Sequence, residues 1–175
     1  VPFAIYEGFR KAGLSHTQAI ALAAEVGREN GYRKDILFGG HIDPAGKGIQ
    51  NSGMLSWNGN RRIALLNHLR NRGLLVGGGS IQQSQTAIDA QAAFAVAEMK
   101  GSYRNKLTHF WNNPNAHPDA FASEVGRNYI VWAYGQNTIG DGNGGRKAFN
   151  WRNQDNVRRD YMNQIITMSG GGIPT

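Results

Sequence analysis

The sequence predicts a mainly helical fold carrying one small, glycine-rich β-hairpin region. Three observations lead there. Helix start and stop signals recur, beginning with the capping-box pattern Ser15-x-x-Gln18 ahead of an alanine-rich run that stops at Gly31. Apolar residues return at helical rather than alternating spacing in most segments. Glycines crowd into "FGGHIDPAGKGIQNSGMLSW", where helix is disfavoured and short hairpin strands fit.

The elements follow in chain order. A short helix is expected over 3–12, closed by Gly13. The second runs from Ser15 to about Asn30. Ala19, Leu22, Ala23 and Val26 form its apolar stripe, Glu29 stands at the border of that stripe, and Glu25 lies further round toward solvent. Between Ile36 and Trp57, the runs "DILF" and "GMLSW" punctuated by glycine predict the small hairpin. Helix returns at "NRRIALLNHLRNRG", then over about 82–100, briefly near 103–112, and over 118–134. "TIGDGNGGRK" reads as a flexible loop, and a last amphipathic helix covers about 154–168.

Composition narrows the function classes. At 175 residues, with 40% hydrophobic and 18% charged residues, the chain has the make-up of one globular domain over 1–175 rather than of a disordered segment. Without cysteine there is no disulfide, thiolate metal site or Cys nucleophile. No apolar run reaches the roughly 18 residues that a membrane span needs. A start without Met and the linker-like tail "SGGGIPT" lead to the expectation that the domain was cut from a longer chain. The formal charge of +7 favours an anionic partner. The positive residues are scattered and no nucleic-acid motif accompanies them, so nucleic acid is not the expected ligand.

Two carboxylates stand out. A carboxyl beside an apolar stripe is partly desolvated, which favours its protonated form, and a general acid working near neutral pH needs that form. Glu29 meets the description. It is also acidic at a helix C-terminus, where the dipole disfavours negative charge, so helix stability does not explain it. Asp43, on the glycine-rich segment, could face it across a cleft, as the paired carboxylates of glycoside hydrolysis do; Asp35 competes for that role. Metal chemistry finds little footing. His41-x-Asp43 with His109 or His117 lacks any HExxH frame, and "DGNGG" from Asp141 places Arg152 where a calcium loop needs Glu. No metal or cofactor is expected.

The order of motifs is more specific than any one of them. "AEVGRENGY" followed by "SGMLSWNGNRR" resembles the phage-tail lysozyme family, whose members carry a Glu-Ser-Gly-Phe-like stretch and then a Gly-Ile-x-Gln-Trp-x-Gly-x-Arg-like stretch. The resemblance is clearest over 15–72. It implies a lysozyme-like fold with Glu29 as catalytic acid and Gly53, Met54, Ser56 and Trp57 lining the cleft. Asn30 replaces the family's Ser and Ser56 its Gln, which weakens a transglycosylase-like site. Tyr32 and Trp57, flanking the acid and the hairpin, are the expected sugar contacts, whereas the aromatics of "YIVWAY" (129–134) suit a helix core better.

The expectation is therefore a peptidoglycan muramidase cleaving the β-1,4 bond between N-acetylmuramic acid and N-acetylglucosamine. The alternatives are a lytic transglycosylase on the same bond and a non-catalytic wall-binding module. Related domains serve as cell-wall-degrading toxins of contractile secretion systems. The resemblance thus implies secretion or delivery to the bacterial periplasm or wall, with an immunity protein or delivery apparatus as partner classes. A monomer is expected.

Overall fold

A computed structural model describes residues 1–42, 50–77 and 79–173. The body is helical: α1 (Pro2–Lys11), α2 (His16–Asn30), α3 (Lys34–Leu37), α4 (Gly59–Arg70), α5 (Gln85–Lys100), α6 (Thr108–Asn112), α7 (Ala122–Val125) and α8 (Trp151–Met168). Two antiparallel hairpins are added. β1 (Gly40–Ile42) pairs with β2 (Gln50–Ser52) in the register Gly40↔Ser52, and β3 (Thr138–Gly140) pairs with β4 (Arg146–Ala148). Among the described residues no helix is long and apolar enough to cross a membrane.

Helix α2 is the centre of the molecule. Ser15 caps it reciprocally, its Oγ accepting from the Gln18 amide while the Gln18 side chain accepts from the Ser15 amide. Gly31 ends it in the left-handed region at φ 61°. It packs against α1 on one side and α8 on the other, and α1 packs in turn on α5. Contact on two sides buries nearly the whole helix from Thr17 to Gly27. Its small residues, Ala19, Ala21, Ala23, Ala24 and Gly27, let neighbours come close, while Ile20, Leu22 and Val26 are fully buried at about 1.5–3 kcal/mol each.

That arrangement corrects the expected amphipathic stripe. A helix covered on both faces has no solvent side at Glu25, which is only 1% exposed. Three other segments differ. "DILF" begins within helical turn α3 rather than in a strand. The helix expected over 118–134 is a 3₁₀ turn (Pro118–Phe121), then α7, then a π turn (Gly126–Ile130), all stopped by Val131 at φ 60°. "TIGDGNGGRK" forms the β3–β4 hairpin: Asp141 Oδ1 accepts from the amides of Asn143 and Gly145 and organises the turn from within.

The region between Ile36 and Trp57 holds the expected β1–β2 hairpin. It is tied to the body on both sides. The Gly53 amide donates to the Gly39 carbonyl, and Ser52 and Trp57 exchange two backbone hydrogen bonds across a tight turn.

Candidate functional site

Glu29 lies in the last turn of α2 and keeps 27% of its side chain in solvent. The next residue builds the site around it. Asn30 is buried; its Nδ2 donates to the Met54 carbonyl at 3.0 Å, and its Oδ1 accepts from the Tyr32 amide at 2.9 Å. One side chain therefore closes the helix and fastens the Gly53-Met54-Leu55-Ser56-Trp57 loop beside Glu29. From α5, buried Gln91 clamps the same loop, accepting from the Met54 amide at 2.9 Å and donating to the Leu37 carbonyl at 3.1 Å. Gly53 is required there: a Cβ would stand 2.6 Å from Gln91 Oε1.

The loop's large side chains point inward. Met54 and Trp57 are buried, and Trp57 Nε1 donates to Glu98 Oε1 at 2.9 Å. Glu98 also receives two bonds from Arg61 and one from Tyr129. Burial pushes the Glu98 carboxyl up, but these hydrogen bonds and the Arg61 charge carry it below the usual carboxylate range. Tyr32 is likewise internal, its hydroxyl donating to the Ala23 carbonyl and its ring edge-on to Tyr161. Tyr32, Met54 and Trp57 thus shape the loop from beneath, and the half-buried Ser56 sits at its turn. Asp35 is 66% exposed and paired with Arg33. Asp43 lies outside the described residues.

A second set of neighbours comes from a part of the chain expected to lie in a helix core. Arg28 lies with its guanidinium carbon 4.2 Å from the centre of the Trp132 ring, and its Nη2 donates to Glu29 at 2.9 Å. From Trp132 the aromatic run continues to Tyr134 (5.4 Å between centroids) and on to Trp151 (4.8 Å), with Phe149 alongside. All four rings are half-buried. Trp132 seats its indole against Gly126, where a Cβ would meet Nε1 at 2.8 Å. Its N–H is buried without a partner. The period of "YIVWAY" is helical, but the helix stops at Val131, so Trp132 and Tyr134 leave the core that Tyr129 joins.

Backbone strain gathers at the same place. Among the described residues, Tyr32, Ser56 and Val131 are the non-glycine residues with positive φ. Tyr32 follows the helix end, Ser56 lies in the clamped loop, and Val131 precedes Trp132. Such conformations cost about 1–3 kcal/mol each and concentrate at functional sites. No family model, curated protein or solved structure matches the chain.

Glu25, expected to lie toward solvent, is instead a carboxyl buried inside the body. Burial raises its pKa against the opposing pull of Arg28 and Arg158. Among the described residues no three His, Asp or Glu side chains converge as metal ligands. Of the residues weighed for a metal, His109 meets Asn113 and His117 accepts from the Asp119 amide.

Proposed function

We propose that the chain is a peptidoglycan muramidase with Glu29 as general acid. The observation that supports this best is the placement of Glu29: a carboxyl at the surface end of a buried helix, bound through its neighbour Asn30 to the Met54 loop and flanked through Arg28 by Trp132. A half-buried aromatic run suits the apolar faces of a sugar chain. The +7 charge suits a polymer bearing carboxylates. In the reaction Glu29 gives its proton to the glycosidic oxygen between N-acetylmuramic acid and N-acetylglucosamine as the bond to the anomeric carbon breaks. Water then completes hydrolysis.

A lytic transglycosylase is the second reading, in which the sugar's own 6-hydroxyl closes on the anomeric carbon. One observation favours it: Asp35, the described candidate for a second carboxylate, is held at the surface by Arg33. The two outcomes differ by one water in product mass. On either reading the site of action is the bacterial wall or periplasm.

The test is loss of turbidity of purified cell walls. Glu29→Gln keeps the shape but removes the transferable proton, and general acid catalysis contributes about 10²–10⁴-fold. Activity should fall by that much, while Glu7→Gln on the exposed face of α1 keeps it. Wild-type protein that binds walls without clearing them would make it a binding module. A fully active Glu29→Gln would place the acid elsewhere.

A further inference from the structure

The last turn of α2 divides one guanidinium between two carboxyls. Arg28 donates through Nε to Glu25 at 3.1 Å and through Nη2 to Glu29 at 2.9 Å, with the Trp132 ring against it. The Arg28 side chain is 7% exposed and that of Glu25 1%, so this exchange is poorly screened by water. Glu25 touches no surface, and its Oε1 has no hydrogen-bond partner. From α8 it faces the charge of Arg158, which is already engaged by Asp155 of the same helix and by Asp119. Arg28 is therefore the group through which Glu25 can act on the surface.

We infer that Glu25 is a positioning residue for the site: through Arg28 it governs how firmly the guanidinium holds Glu29. This rests on the reading of Glu29 as the acid. A guanidinium bound wholly to Glu29 would stabilise the carboxylate and take away the proton that the reaction uses. An ionised Glu25 draws that guanidinium inward and relieves the hold. Because burial delays the ionisation of Glu25, the relief arrives as pH rises, when the acid is most at risk of losing its proton. Glu25 then broadens the pH range of activity without meeting the substrate.

The experiment is the pH–kcat profile of wall-fragment cleavage for wild type, Glu25→Gln, Arg28→Gln and the double variant. An opposite charge at this range moves a carboxyl by about one unit or more. Glu25→Gln should match wild type at acid pH and lose its alkaline limb about one pH unit early, with KM unchanged. Arg28→Gln should move that limb up, and the double variant should follow Arg28→Gln. A loss equal at all pH values that tracks the melting temperature, or no change of limb, would make Glu25 a structural ion-pair partner only. Should Glu25→Gln fail to fold, Arg28→Gln decides: an unmoved limb overturns the inference. A second readout separates this from failure of the acid reading itself. The Trp132 indole N–H resonance, beneath Arg28, should respond to both carboxyls in wild type and lose the Glu25 step in Glu25→Gln, whether or not the protein cleaves walls. Identical titrations would refute the coupling.

Discussion

Asn30 illustrates how much a single side chain decides here. The resemblance expects Ser at this position, yet Ser is too short to span to the Met54 carbonyl while also accepting from the Tyr32 amide, as Asn30 does. Asn30→Ala would leave a buried carbonyl and a helix end unsatisfied, at about 1–3 kcal/mol. We expect a lower melting temperature and, on the proposed muramidase reading, because the loop beside Glu29 is released, a loss of wall lysis larger than the loss of folded protein. Val131 offers the opposite test. A β-branched residue in the left-handed region is strained by about 1–2 kcal/mol, and this one is exposed. Val131→Asn should raise stability by about 1 kcal/mol in denaturant titration. At this scale the position of Glu29 in the last turn of α2 was legible from the stop signal at Gly31, whereas the neighbours Arg28, Gln91 and Trp132 were not. Gln91 meets Leu37 and Met54, and Trp132 meets Arg28, across dozens of residues that no local pattern encodes; Arg28 joins two local carboxyls to that distant ring.

Helices with strong caps were legible to within a few residues: α2 starts after Ser15 and stops at Gly31, and α5 starts after Ser84 and stops at Gly101. Cap chemistry is local, so the sequence carries it in full. Which face of a helix is buried is not local. The stripe of Ala19, Leu22, Ala23 and Val26 was read as one wet side and one dry side, but alanine packs equally well on either, and two neighbours took both. The β3–β4 hairpin was missed for a related reason. Its strands are three residues long, and its stability comes from Asp141 folding back on its own turn rather than from alternating apolar residues. Asp141→Ala should therefore speed hydrogen exchange of the amides over 138–148 while leaving the global melting temperature nearly unchanged.

Across the whole molecule, ionisable groups pull stability in two directions. Glu98 and Asp119 are both raised by burial but carried below their ordinary values by Arg61 and by Arg158 with Arg159. Their contributions are present above the ordinary carboxylate range and vanish as pH falls through the depressed values, so acid should unfold the protein. Glu25 has the opposite sign: its raised value contributes stability below the ordinary Glu range that is lost as pH rises through the folded value. The melting-temperature difference, Glu25→Gln minus wild type, should thus become more positive as pH rises above the ordinary Glu range. Salt acts on the surface charge instead. On the proposed function, attraction of a +7 protein to an acidic wall is screened over about 10 Å at 0.1 M salt, so wall binding should weaken as salt rises.

The central helix also has a timing. α2 is made well before α8, one of its two main covers, which is the last of the described helices in chain order. Until then one side of an alanine- and leucine-rich rod stays bare, and closing the contact joins segments more than a hundred residues apart, which makes for slow, late consolidation. A nascent or truncated chain ending before Trp151 should bind hydrophobic dyes, attract chaperones and aggregate, although every residue of the Glu29 turn and the Met54 loop has already been made.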